Sequence, residues 1–209
     1  MPTENCVRVK VCGLTSVQAA KHAARSGADA LGLVFFEKSP RYLADLALAR
    51  DIALAAGPFV TVVGLFVNPR PEYLDNVLEH VPLNLLQFHG DESDELCQSW
   101  QRPYIKALRM KPDLDIELAI KSYPGATGIL LDAYKKGVPG GTGECFEWSR
   151  VPLNSAKPIV LAGGLSPENV QAAVQQARPW AVDVSGGVES APGVKCPRLV
   201  ESFIRKAKE

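Results

Sequence analysis

The chain lacks an excess of charge of either sign: 23 Lys and Arg balance 23 Asp and Glu over 209 residues. Nucleic-acid binders usually carry a basic surplus, so that class of partner is disfavoured. It also lacks CxxC pairs and Cys/His clusters, and its five cysteines, Cys6, Cys12, Cys97, Cys145 and Cys196, are odd in number. That pattern disfavours a disulfide framework and a zinc site, and it points to reduced thiols in the cytoplasm. No apolar run reaches the ~20 residues of a membrane helix. The start, Met1-Pro2-Thr3-Glu4-Asn5, has none of the basic-then-apolar order of a secretory leader. Low-complexity segments are missing too. Neutral charge leaves one partner class open, a phosphorylated small molecule, because a few backbone N–H groups suffice to hold one phosphate.

What is present is a repeated alternation. Hydrophobic residues are 46% and charged residues 22% of the chain, ordinary for a globular domain, and the expectation is one domain over 1–209. Short apolar runs stand at 8–12, 30–35, 59–67, 83–90, 103–108, 128–133, 158–164 and 180–187. Between most of them lie stretches with helical spacing, each closed by Gly, Pro or Ser, as in Val17 to Ala24 before Ser26-Gly27. Helices are expected over 45–56, 72–80, 92–100, 114–121 and 195–208, and a short one near Phe146-Glu147-Trp148. Ser166-Pro167-Glu168 reads as a cap and first-turn proline for another. Strands alternating with helices make a parallel sheet. Eight such units most often close into a (β/α)8 TIM barrel, with an open doubly-wound sheet as the alternative.

In a (β/α)8 barrel the reactive groups lie at the C-terminal ends of the strands. Those ends carry Lys10 and Cys12, Gln87 and His89, Lys106, Asp132, Gly163-Gly164, and Asp183 with Ser185-Gly186-Gly187. Alternation puts Lys10 with Cys12, Gln87 with His89, and Asp183 with Ser185 on common faces. Bare polar groups among Val, Ile and Leu are costly to bury, so they face a polar cavity or a partner. Paired glycines after strands seven and eight suit a phosphate site, with Ser185 adding a hydroxyl; tight turns are the plainer explanation of either pair alone. Cys12 is either a small buried apolar residue or a thiolate favoured by Lys10. Asp132 is a cap, a salt-bridge partner or an acid/base group. Arg41 is a solvated loop residue or a clamp on a carboxylate. His89 reads as a hydrogen-bonded pocket wall, and Lys10 has both Asp183 and Cys12 as candidate partners. The glycine-rich stretch Gly137 to Gly143 could cover the mouth.

Taken together, these stretches resemble phosphoribosylanthranilate isomerases. The resemblance rests on Lys10-Val11-Cys12-Gly13-Leu14-Thr15, Ser39-Pro40-Arg41-Tyr42, Gly64-Leu65-Phe66-Val67-Asn68 and Gln87-Phe88-His89-Gly90. It continues through Asp132, Gly140-Gly141-Thr142-Gly143, Phe146-Glu147-Trp148, Leu161-Ala162-Gly163-Gly164-Leu165 and Asp183-Val184-Ser185-Gly186-Gly187-Val188-Glu189. It covers nearly the whole chain, with Phe88 as a packing departure where many members have leucine. The resemblance implies a barrel with no metal and no cofactor, monomeric or homodimeric, that performs an Amadori rearrangement on N-(5′-phosphoribosyl)anthranilate. It implies Asp132 as general acid, Cys12 as general base, Arg41 on the anthranilate carboxylate, and the glycine loops on the phosphate. A cysteine base must spend part of its time as thiolate, so a pKa below the free value of ~8.5 is expected for Cys12.

Overall fold

The computed structural model describes residues 7–133 and 147–209. Eight parallel strands close in sequence order: β1 (Arg8–Cys12), β2 (Ala30–Val34), β3 (Thr61–Phe66), β4 (Leu85–Phe88), β5 (Tyr104–Met110), β6 (Gly128–Ala133), β7 (Ile159–Leu161) and β8 (Ala181–Val184). The closing pair is β8 with β1, in the register Lys10 opposite Asp183, so the open-sheet alternative is ruled out. Outside run α1 (Val17–Arg25), α2 (Leu46–Leu54), α3 (Pro71–His80), α4 (Asp94–Gln98), α5 (Ile116–Lys121), α6 (Val170–Ala177) and α7 (Pro197–Lys208). A single 3-10 turn, Trp148–Arg150, follows the point where a short helix was expected. The glycine-rich stretch expected as a cover lies outside the described residues.

Period-two alternation sorts the strand side chains into two apolar sets. Val9, Val11, Leu86, Phe88, Ile129, Leu131, Val182 and Val184 belong to the large layer between barrel and helices. Ile105, Ala107, Leu130, Val160, Ala162 and Ala181 form a small cluster inside the barrel. Both faces of each strand are therefore buried, which is why the strands read as continuous apolar runs. The interior set is short because polar residues replace it toward the strands' C-terminal ends. Among the described residues, no helix is long and apolar enough to cross a membrane.

Helix starts follow side-chain capping. Ser16 Oγ accepts from the Ala19 N–H, Asp45 from Ala47 and Leu48, Ser93 from Leu96, and Asp115 from Leu118. Three expectations need correction. Ser166 Oγ does accept from the Glu168 N–H, but residues 167–169 form a turn and α6 begins only at Val170. The last helix begins at Pro197, because Val194–Lys195 pairs as β10 with β9 (Glu189–Ala191) in an antiparallel hairpin. Glu92 is not helical. Its carboxylate accepts from the Asn68 and Gly90 N–H groups and from Lys106 Nζ at 2.7 Å.

That last contact also corrects the reading of Lys106 as a strand-end group at the mouth. β5 runs on to Met110, and Lys106 faces the helices, 1% exposed against a Glu92 that is fully buried. Breaking one side of a buried ion pair strands the other charge in low dielectric. Lys106→Met is expected to destabilise the fold by roughly 3–5 kcal/mol in denaturant unfolding. A loss below the ~1 kcal/mol of a surface pair would refute that role.

Candidate active site

A cavity of about 750 Å³ opens at the C-terminal ends of the strands, lined by Cys12, Arg41, Gln87, His89, Asp132 and Ser185 among others. Every member of this set on a strand stands on the interior side of the alternation. Its neighbours on that strand, such as Val11 beside Cys12 and Leu131 beside Asp132, are packed on the outside.

On one side β1 and β8 meet. Lys10 Nζ donates to Asp183 Oδ1 at 2.8 Å, and both side chains are at most one-tenth exposed. Burial works against the Lys10 ammonium, but Asp183 and the Cys12 sulfur outweigh it and hold the group above the ordinary lysine range. Lys10 therefore pairs with Asp183 while also acting on Cys12. Cys12 is 4% exposed. Burial pushes its thiol above the ordinary value, and Asp183 adds to the rise; Lys10 and Lys195 pull it back without cancelling it. The depressed thiol expected from Lys10 alone is thus not found, because the same burial that brings Lys10 close also desolvates the thiolate.

Across the mouth, β4 and β6 supply a hydrogen-bonded chain. His89 Nε2 lies 3.2 Å from Asp132 Oδ2, and Gln87 Nε2 lies 3.1 Å from His89 Nδ1. Asp132 is nearly buried at 5% exposure, above the apolar Leu130 on the same face.

Arg41 reaches the cavity from the loop after β2. Its Nε and Nη2 donate to the two oxygens of Glu189, both at 2.7 Å. Lys195 Nζ donates to the same carboxylate at 2.6 Å, and to the Ser185 carbonyl. Burial disfavours the Glu189 charge, yet these two cations keep its carboxyl below the usual range. The same burial lowers Lys195 despite Glu189. The bidentate contact with Glu189 raises Arg41. Gly13 makes room for the arginine: at φ +75° a Cβ there would lie 2.3 Å from Arg41 Cδ.

The loops after β7 and β8 carry Gly163, Gly164, Ser185, Gly186 and Gly187 into the cavity wall beside Asn169, which precedes α6. A Cβ on Gly187 would sit 1.9 Å from the Leu165 carbonyl oxygen, so the two loops touch backbone to backbone. Ser185 Oγ donates to the Cys12 carbonyl at 3.1 Å, tying this wall to β1. Several lining or supporting residues, Asn169 among them, received no role from the sequence. Glu189 and Lys195 are brought in by the β9–β10 hairpin, whose second strand reads as the start of a helix. Arg109 lines the cavity in register with Asp132, and its signal was the interior alternation Ile105, Ala107, Arg109.

Residues 9–206 match the family model of N-(5′-phosphoribosyl)anthranilate (PRA) isomerase. The isomerase of Pseudomonas aeruginosa (strain UCBPP-PA14) is 58% identical over 198 residues, covering 95% of this chain and 93% of the relative. That of Cellvibrio japonicus (strain Ueda107) is 56% identical over 198 residues, covering 95% and 92%. The crystal structure of the Thermotoga maritima enzyme superimposes with a TM-score of 0.88 at 43% identity, covering 97% of this chain and 98% of that one. With matched residues running from β1 into α7, the chain belongs to the phosphoribosylanthranilate isomerase family.

Proposed function

We propose that Cys12 and Asp132 divide the acid–base work of the family reaction between two sides of one cavity. The chain is an isomerase of N-(5′-phosphoribosyl)anthranilate in tryptophan biosynthesis. The observation that carries the division of roles is that both side chains face one interior from strands β1 and β6, each with its own polar support.

Asp132 protonates the ribose ring oxygen, and the ring opens to a Schiff base. Cys12, as thiolate, then removes the proton from the sugar's second carbon, and the resulting enolamine tautomerises to the ketone. Lys10 is the cation that steadies the thiolate through this step, while Asp183 holds Lys10 in place. Glu189 takes Nε and Nη2 of Arg41, so Nη1 is the donor offered to the anthranilate carboxylate. The glycine loops with Ser185 and the start of α6 take the phosphate. A relative 41% identical was crystallised with reduced 1-(o-carboxyphenylamino)-1-deoxyribulose 5-phosphate, a ligand with the same carboxylate and phosphate ends. Its biosynthetic family and odd set of cysteines support a cytoplasmic setting.

Cys12→Ser and Asp132→Asn are each expected to lower turnover by roughly 10²–10⁴-fold, followed as decay of phosphoribosylanthranilate fluorescence. Wild-type turnover in either variant would sink the assignment. Arg41→Ala is expected to raise KM with a smaller change in kcat, and an unchanged KM would remove the clamp. Because burial raises the Cys12 thiol, its alkylation by iodoacetamide should be slow at neutral pH and keep rising beyond the range of an ordinary thiol. Lys10→Met should slow that alkylation further. A faster reaction in the variant would show that Lys10 does not favour the thiolate.

A further inference from the structure

Among the described residues, Gln87 is the one interior side chain of the mouth whose burial is complete and whose pairing is incomplete. It is 0% exposed, it stands between the outward-packed Leu86 and Phe88, and its Oε1 is buried with no hydrogen-bond partner. Its amide has one partner, His89 Nδ1, and His89 in turn has Asp132. A buried amide with an unpaired end is costly, and it is retained where it does something. Rotating the amide half a turn exchanges which end meets His89, and the hydrogen on His89 Nδ1 decides which end it can face.

We infer that Gln87 is a positioning residue for the acid: by turning its amide it follows and stabilises each proton state of the His89–Asp132 pair. This deepens the proposal that Asp132 is the general acid and rests on it. With Nε2 of Gln87 donating, His89 Nδ1 accepts, its hydrogen is on Nε2, and that N–H donates to an Asp132 carboxylate. This is the discharged acid. One proton taken from solvent at Nδ1 turns the amide, so that Oε1 accepts from Nδ1–H. Passing the Nε2 proton across the 3.2 Å contact then leaves a neutral His89 and a protonated Asp132. That proton goes to the ribose ring oxygen. His89 afterwards exchanges its Nδ1 hydrogen for one on Nε2 with solvent, and the amide turns back. Among the described residues, the charged and titratable groups lining the same cavity are Arg109 from β5, Lys38 and Arg41 from the loop after β2 and, across the mouth, Cys12 and Asp183 from β1 and β8, with Lys10 paired to Asp183. Leu65 of β3 and Val67 just after it add only apolar wall there.

The hydrogen bond from a charged imidazolium to Oε1 is stronger than the neutral one it replaces, so Gln87 favours the loaded state. Gln87→Met should lower kcat about tenfold with little change in KM, and move the alkaline limb of the kcat/KM profile to lower pH. Gln87→Glu puts a carboxylate against Nδ1–H and should move the same limb to higher pH, by about one unit. In a His89→Asn background neither substitution should move the limb further. Limbs that stay in place, or that move the same way in both variants, would overturn the role of Gln87. If turnover persists in Asp132→Asn, it is the acid assignment that falls; if it collapses there while the limbs stay put, only the role of Gln87 falls. The unsubstituted chain supplies an arm independent of folding variants. Histidine ¹⁵N spectra, with the resonance assigned through His89→Asn, should show hydrogen on Nε2 at alkaline pH and on both nitrogens as pH falls. Hydrogen on Nδ1 alone at every pH would refute the scheme.

Discussion

The contact between Lys10 and Asp183 is the constraint around which the mouth of the barrel is arranged. It joins the first strand to the last, in register, at the seam where the barrel closes. Two charges taken out of water are tolerated only when they meet each other with good geometry. Once they are placed there, Cys12, two residues further along β1 and on the same face, lies in their field. Its thiol feels burial and Asp183 pushing it toward the neutral form, and Lys10 and Lys195 pulling it toward the charged one. The net effect holds the thiol above its ordinary range, and three cations on this side, Lys10, Arg41 and Lys195, are already paired with carboxylates.

The other functional groups are organised by the same economy of partners. Arg41 is steadied by Glu189, which is steadied by Lys195, which is anchored on the Ser185 carbonyl next to the glycine loop. Ser185 Oγ returns to the Cys12 carbonyl. Cys12, Arg41 and the glycine loop after β8 are thus one connected network, whereas Asp132 with His89 and Gln87 forms a second network across the cavity. Among the described residues, the hydrogen-bond partner of Asp132 is His89, which in turn meets Gln87. The two networks stand on opposite sides of one cavity.

Much of this was legible in the residue order. Eight apolar runs bounded by Gly, Pro and capping residues specify eight strands, because neither a strand nor a helix of this kind can bury its faces alone. Alternation specified which strand residues share a face, and Lys10 with Cys12, Gln87 with His89 and Asp183 with Ser185 do share the interior. What misled was pairing that the helical pattern of the segment does not show. Glu92 fits a helical pattern, but its pairing with Lys106 and two loop N–H groups draws it out of α4 and turns Lys106 away from the mouth. Val194 and Lys195 sit directly ahead of a helix, but pairing with Glu189–Ala191 makes them a strand.

The sequence by itself determined the alternation of eight strands with helices, the parallel sheet and most of the residues carried to the strand ends, since these follow from local periodicity and breakers. Tertiary structure alone decided the partners: Lys10 with Asp183, Glu189 between Arg41 and Lys195, and Gln87 behind His89. It also decided the sign of the Cys12 shift. Proximity of a lysine argues for a lowered pKa and is readable from spacing, but the depth of burial that outweighs it exists only once the barrel has closed.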